Sequence, residues 1–518
     1  MRNAARMTRG ADAPVGMSMA MGGPKPTGAP APLHAARRGV VLVAVMWLLI
    51  VLAALTIVLS HTVRVELQIS SNAISRAQAD AVELGAENFV LSQVDYSNTT
   101  NAGDPILITN VDCEARQVGD GYFWILTPNV DDPLNYYYGI TDEAGKINLN
   151  TATVAVLQQL PGMSDGDNTT IPASIVAWRG NGKLPAAGTT PALSTNADEN
   201  YYMSLPVNPY HCKNCAFESV DELLLVKGMT PDPTNGPGQV LNWVDPLYGY
   251  DLHHAGWLSQ DDLDSSAGNQ FDATQGGGLG IAPCVTVWSA EPNTSITGTA
   301  RVNVNGTNTT ALRTALATTI GAARVTTIIN TTTRGRPFQN MVDYFVRSGM
   351  TATEFSGVAD LLSATPVTGG GGAAGGATAT TAGLININTA SETVLSCLPG
   401  LTDADVQALV TKRESGIDIS NVSWIIGAIS QAKAVAIGSL ITTRSFQYSA
   451  DIVAVSGDGR SFKRVRIVVD NQASPPKILY RKDLTSLGWP LDPDIQTQLR
   501  AGTFVAGGTQ NRNTIGGM

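Results

Sequence analysis

Arg37-Arg38-Gly39 leads into Val40-Val-Leu-Val-Ala-Val-Met-Trp-Leu-Leu-Ile-Val-Leu-Ala-Ala-Leu-Thr-Ile-Val-Leu59, and this stretch decides how the 518-residue chain is read. Val40 to Leu59 is twenty residues without a charge. As a helix it is about 30 Å long, the thickness of a bilayer hydrocarbon core. Arg37 and Arg38 lie directly before it against Arg64 after it, with four more bases in the leader, so residues 1–39 are expected on the cytoplasmic side and the body on the other. A cleavable secretory signal has a shorter apolar run that ends in a small-residue cleavage site. Here the run passes instead into Ser60-His-Thr-Val-Arg64.

The helix is expected to continue. Val63 to Leu91 contains no proline and one glycine, Gly85. Val63, Leu67, Ile74, Ala77, Ala81, Leu84 and Val90 recur near the spacing of an amphipathic helix, with Glu66, Arg76, Asp80, Glu83 and Glu87 between them. A single helix from Val40 to about Ser92 is roughly 80 Å long.

Composition narrows the function classes. Charged residues make up 15% of the chain, below the roughly 25% of an average soluble protein, and 52 glycines help fill the difference. Net charge is −10, and six of the 33 bases lie in the first 39 residues, so the body is more acidic still. An acidic body argues against binding a phosphate backbone. No G-x-S-x-G, P-loop, H-E-x-x-H or nucleophile–histidine pair is present, so no enzyme is expected.

An internal repeat organises the middle. Ile147-Asn-Leu-Asn-Thr-Ala152, Val156-Leu157 and Leu160-Pro-Gly162 return at an offset of 238 as Ile385-Asn-Ile-Asn-Thr-Ala390, Val394-Leu395 and Leu398-Pro-Gly400. A third, degraded copy is expected from Val302-Asn-Val-Asn305, with Leu312 and Leu316 downstream. Thr389 and Glu392 read as a capping box opening a short helix that Pro399-Gly400 ends; Ser219 and Glu222 read as a second box. Strands are expected at 105–109, 121–126, 136–140, 446–455 and 461–469. In the last, Val465, Ile467 and Val469 alternate with Arg464 and Arg466, as if one face were buried and one wet.

Metal and redox candidates are few. His211-Cys212-Lys-Asn-Cys215 reads as a small disulfide loop in preference to half a zinc site or a redox pair; the other cysteines are Cys113, Cys284 and Cys397. His253-His254 reads as an exposed polar pair. Asp261, Asp262 and Asp264, with Asp245 and Asp251, are candidate calcium ligands in a loop-rich stretch, against the reading of a solvated acidic loop.

The leader, the apolar run and the long helix resemble those of type IV prepilins and type II secretion pseudopilins. The resemblance implies cleavage after Gly39 by prepilin peptidase and methylation of Val40. It also implies Glu at the fifth mature position, where this chain has Ala44. A carboxylate at membrane depth costs roughly 2.5–3.5 kcal/mol on insertion scales unless paired. In the family that Glu pairs with the N-terminal amine of the subunit above. Ala44 therefore marks filament position, and its lack of a carboxylate resembles the K-type minor pseudopilin. The paired short helices resemble the helix-hairpin-helix or SAM-like modules inserted in that family.

The resemblance implies an α+β fold. Residues 1–39 form the leader and 40–92 the N-terminal helix, with 40–60 in the membrane. Residues 93–146 and 441–485 form a pilin-like α/β domain with an antiparallel sheet. Helical modules at 147–363 and 384–440 are separated by a Gly-rich linker at 364–383, and 486–518 is a flexible tail. The implied place is the bacterial inner membrane, single-pass, with a periplasmic body. The implied partners are I- and J-type minor pseudopilins, the major pseudopilin, the inner-membrane secretion platform and prepilin peptidase. Leu67, Ile74 and Ala81 are the expected packing stripe for partner helices. Calcium is the one cofactor the family suggests. The alternative is an exported helix-hairpin-helix DNA receptor of the competence type, in which Arg179, Lys412 and Arg413 would supply cations. Asp165, Asp167, Asp403 and Asp405, beside the presumed phosphate sites, argue against it.

Overall fold

The structure, a computed structural model, describes residues 38–101, 109, 111–128, 136–161, 163, 170–180, 197–205, 208–229, 281–307, 309–364 and 380–506. The chain divides into two units, Met1–Ser70 and Ser71–Met518. Helix α1 covers Arg38–Asn101, about two turns beyond the expected end. Within the first unit its side chains from Val41 to Ser70 are exposed. It is the one helix among the described residues long and apolar enough to cross a membrane.

The second unit begins with the rest of α1 and strands β1 (Arg116–Val118), β2 (Gly121–Pro128), β3 (Tyr136–Tyr138) and β4 (Thr141–Asp142). Three helical modules follow, each opened by one repeat copy and closed by a short parallel strand pair. The first runs from β5 (Ile147–Asn148) through α2 (Val154–Leu157), α3 (Ile171–Arg179) and α4 (Glu199–Met203) to β6 (Val285–Thr286). Strand β7 (Ala290–Pro292) then leads to the second module. That module runs from β8 (Val302–Asn303) through α5 (Thr309–Leu316), α6 (Ala322–Gly335), α7 (Met341–Ser348) and α8 (Ala352–Ser356) to β9 (Leu362–Ser363). Strand β10 (Thr380–Ala382) pairs antiparallel with β7. The third module runs from β11 (Ile385–Asn386) through α9 (Glu392–Ser396), α10 (Asp403–Arg413) and α11 (Gln431–Ile437) to β12 (Ile441–Thr442).

The chain then returns through β13 (Gln447–Val455), β14 (Phe462–Asp470) and β15 (Lys477–Asp483). These join β1–β4 in an antiparallel sheet ordered β1-β2-β13-β14-β15, with β3 on β2 and β4 on β13. Helix α12 (Pro493–Ala501) is the last helix or strand of the described residues.

Each sheet face has a cover. Val82, Ala86, Val90 and Val94 of α1 pack with Phe123, Ile125, Ile452, Val465 and Ile467. Gly121 allows this close approach, because a Cβ there would lie 2.6 Å from Val82 Cγ2 and 2.5 Å from the Val455 carbonyl oxygen. On the other face, Leu491, Ile495 and Leu499 pack on Trp124, Leu126, Val453 and Val455. Two expectations are corrected here. The segment after Pro490 forms a helix anchored by those three apolar residues. The arginine side of β14 is not wet: Arg464 is 1% exposed and forms a bidentate pair with Asp451 at 2.6 and 3.0 Å. Strand β15 went unread because its residues are mostly polar and follow Pro475-Pro476.

The expected strand at 105–109 lies almost wholly outside the described residues, as do the leader and most of the Gly-rich linker. The first and third modules share one apolar core, while the second has its own.

Candidate functional site

The repeat does its work through two asparagines and a distant arginine. In each copy the first Asn side chain accepts the backbone N–H of the second, Asn148 from Asn150 at 2.9 Å, Asn303 from Asn305 at 2.8 Å and Asn386 from Asn388 at 3.0 Å. The second Asn donates across its module, to the carbonyls of Phe217, Phe338 and Ile419 at 3.0, 2.9 and 2.9 Å. The residue between them donates its N–H to the closing strand, at Thr286, Ser363 and Thr442. Sequence spacing thus becomes a closed loop in which both module ends are hydrogen-bonded together.

An arginine at the C-terminal end of each module's second helix completes the clasp. Arg179 donates to the carbonyls of Leu149 and Ala152, Arg413 to those of Ile387 and Ala390, and Arg336 to that of Gly306. Hydrogen bonds from a charged donor contribute about 1.5–3 kcal/mol each. The two arginines that a DNA-binding reading needs are therefore turned onto backbone oxygens. At the start of α10, Lys433 pairs with Asp405 and holds its carboxyl down at about 2. An ionised acid in the first turn of α10 would repel a phosphate brought to that helix end.

The capping expectation is partly corrected. Ser219 and Glu222 form their box, on a 3-10 turn over Val220–Leu225. Helix α9, however, is capped by Ser391, whose side chain accepts the Val394 N–H, because Thr389 is directed elsewhere. Thr389 donates to Asp142 Oδ2 at 2.6 Å, joined there by Ser445 at 2.6 Å and Asn386 at 3.2 Å. Complete burial pushes the Asp142 carboxyl up to about 6 against these hydrogen bonds. Next to it, buried Glu143 pairs with Lys146 at 2.5 Å and accepts from Thr286. This polar knot ties the first and third modules to the sheet. No sequence signal marked Asp142, since its partners lie about 250–300 residues away, at separations of 244 to 303.

The remaining candidates separate widely. Gly39, Val40 and Ala44 all lie in the backbone of α1, and Ala44 is exposed. Leu67 is 64% exposed in the first unit; in the second, Ile74 is 58% exposed, Leu84 57%, and Ala81 also faces outward. Val90, read as part of the same stripe, is fully buried on the opposite side.

Cys212 and Cys215 are free, so the expected disulfide loop is not formed: Cys212 is buried beside the Trp178 carbonyl and Cys215 is exposed. Cys113, Cys284 and Cys397 are buried. Asp245, Asp251, His253, His254, Asp261, Asp262 and Asp264 lie outside the described residues. Among the described residues no three His, Cys, Asp or Glu side chains are grouped to hold a metal.

Residues 385–436, most of the third module, match the family described as type II secretion system (T2SS), protein K. No curated protein matches the chain. A similar solved structure is the GspK-GspI-GspJ complex from the type 2 secretion system of enterotoxigenic Escherichia coli. The likeness covers 81% of this chain and 99% of that one, at 11% identity and a TM-score of 0.38. The leader, the apolar run and the repeats raised a resemblance to K-type minor pseudopilins, and the family match at residues 385–436 bears it out: this chain is like protein K of the type II secretion system.

Proposed function

We propose that the chain is a minor pseudopilin of a type II protein secretion system, capping the pseudopilus tip and starting its assembly with other minor pseudopilins. The observation that carries this reading is the protein K match on the third module. Exposed Ile74, Ala81 and Leu84 support it, since they offer an apolar helix face to neighbouring helices. Ala44 supports the tip position: a subunit with nothing above it needs no carboxylate to receive an amine. In this reading the I- and J-type minor pseudopilins pack beside α1, the major pseudopilin follows below, and the secretion platform holds the assembly at the inner membrane. The body lies in the periplasm, and the chain performs no catalysis.

Maturation tests the reading. Prepilin peptidase cuts between Gly39 and Val40, methylates Val40 and leaves the apolar helix attached. N-terminal sequencing of the membrane-extracted protein reads from Val40, and Gly39→Val leaves a membrane-bound precursor that is not assembled. A chain that begins at Met1 in cells with active peptidase overturns the proposal.

A further inference from the structure

Helix α1 meets the edge strand of the sheet through charge. Arg481 of β15 donates from Nη2 to Glu83 at 2.8 Å and from Nε to Glu87 at 2.6 Å. Lys463 of β14 pairs with Asp80 at 2.8 Å and lies 3.9 Å from Glu83. Asp483 of β15 is a fourth acid in the field of both cations. Four carboxylates therefore share two cations, and Glu83 and Glu87 are only 3% and 7% exposed. Two carboxyls one helical turn apart on one guanidinium, withdrawn from water, cannot both ionise freely.

We propose that Glu83 and Glu87 form a proton-operated clasp that sets how firmly helix α1 holds strand β15. A proton on Glu83 lowers the net charge of the four carboxylates and two cations from −2 to −1 and the interface tightens; without it Glu83 and Glu87 repel each other across Arg481. Burial, then the hydrogen bond and charge of Glu87, push the Glu83 carboxyl up to about 7, with Arg481 pulling the other way. A carboxyl raised on folding keeps a proton that the unfolded chain has released. Stability therefore falls as pH rises from the ordinary carboxylate range through about 7.

The test uses the full chain in detergent, with its thermal midpoint and the amide exchange of β15 followed from about pH 6 to about pH 8. The native chain loses stability as pH rises, by about tenfold in the folding equilibrium across this range with most of the loss below about pH 7, and β15 amides exchange faster. Glu83→Gln, a neutral isostere of the protonated acid, removes most of this slope, leaving the part that buried Asp142 contributes towards the acid end, and melts above the native chain at the alkaline end. The same slope in Glu83→Gln, or a native midpoint that rises with pH, overturns the clasp. Should the variant fail to fold, carbon-13 labelling of glutamate carboxyls in the native chain decides. A buried carboxyl titrating near 7 is expected, and none above the ordinary carboxylate range refutes it.

Discussion

The two sides of helix α1 between Ile74 and Val94 invert the usual pattern. The side against the sheet carries Val82, Ala86, Val90 and Val94, but also the buried acids Glu83 and Glu87. The side away from the sheet carries Ile74, Ala81 and Leu84, all exposed. Charge is inside because Arg481 and Lys463 wait on the sheet to receive it. The outer apolar residues contribute little to this chain's own packing. The inner face answers to folding, and the outer face is available for assembly.

That contrast is open to direct attack. Val90→Asp places a carboxylate in the apolar layer between helix and sheet, away from the Arg481 pair. It is expected to cost about 4 kcal/mol or more, read as a shift in denaturant midpoint of the full chain in detergent. An intermediate effect belongs to the module clasps. Arg413→Ala removes bonds to two carbonyls and is expected to cost about 3 kcal/mol, while Arg336→Ala, with one such bond, costs about 1.5–2 kcal/mol. If Arg413→Ala leaves stability intact and instead weakens salt-sensitive DNA binding, the structural role of the repeat is wrong.

How much of this was legible in the sequence depends on the range of the interaction. The apolar run, the repeat and the β13–β14 hairpin are local patterns, and each is found where its pattern lies. The Asn-x-Asn motif was visible as a repeat, but its purpose was not, because Arg179, Arg336 and Arg413 follow at unequal spacings of about 30 residues. Thr389 shows the limit of local reasoning: its spacing to Glu392 fits a capping box, yet Asp142 competes for it from the sheet. Helical periodicity does separate Val90 from Ile74 and Ala81, since at 3.6 residues per turn it lies roughly 160–180° around the helix from them. Grouping the three in one stripe overlooks that angle, and the sheet buries Val90 while leaving Ile74 and Ala81 exposed. Strand β15 was missed for a different reason, since its partners Glu83, Glu87 and Asp221 are polar and distant.

The smallest stability effect carries the sharpest test of the comparison. Ile74→Lys and Leu84→Lys each replace an exposed apolar side chain with a good helix former, so neither creates a cavity nor buries a charge. Each is expected to change folding stability by no more than about 0.5 kcal/mol. If the outer face is a helix-packing surface, the same substitutions place a strongly hydrated ammonium where a neighbouring apolar helix must sit, and desolvating it without a partner opposes association. Co-purification with the other minor pseudopilins is therefore expected to fall sharply while the melting curve stays unchanged. Loss of stability alongside loss of assembly would mean that the outer residues serve the fold after all. Full assembly with lysine at both positions would free that face of any role in the filament, and the division of α1 into a folding side and an assembly side would fail.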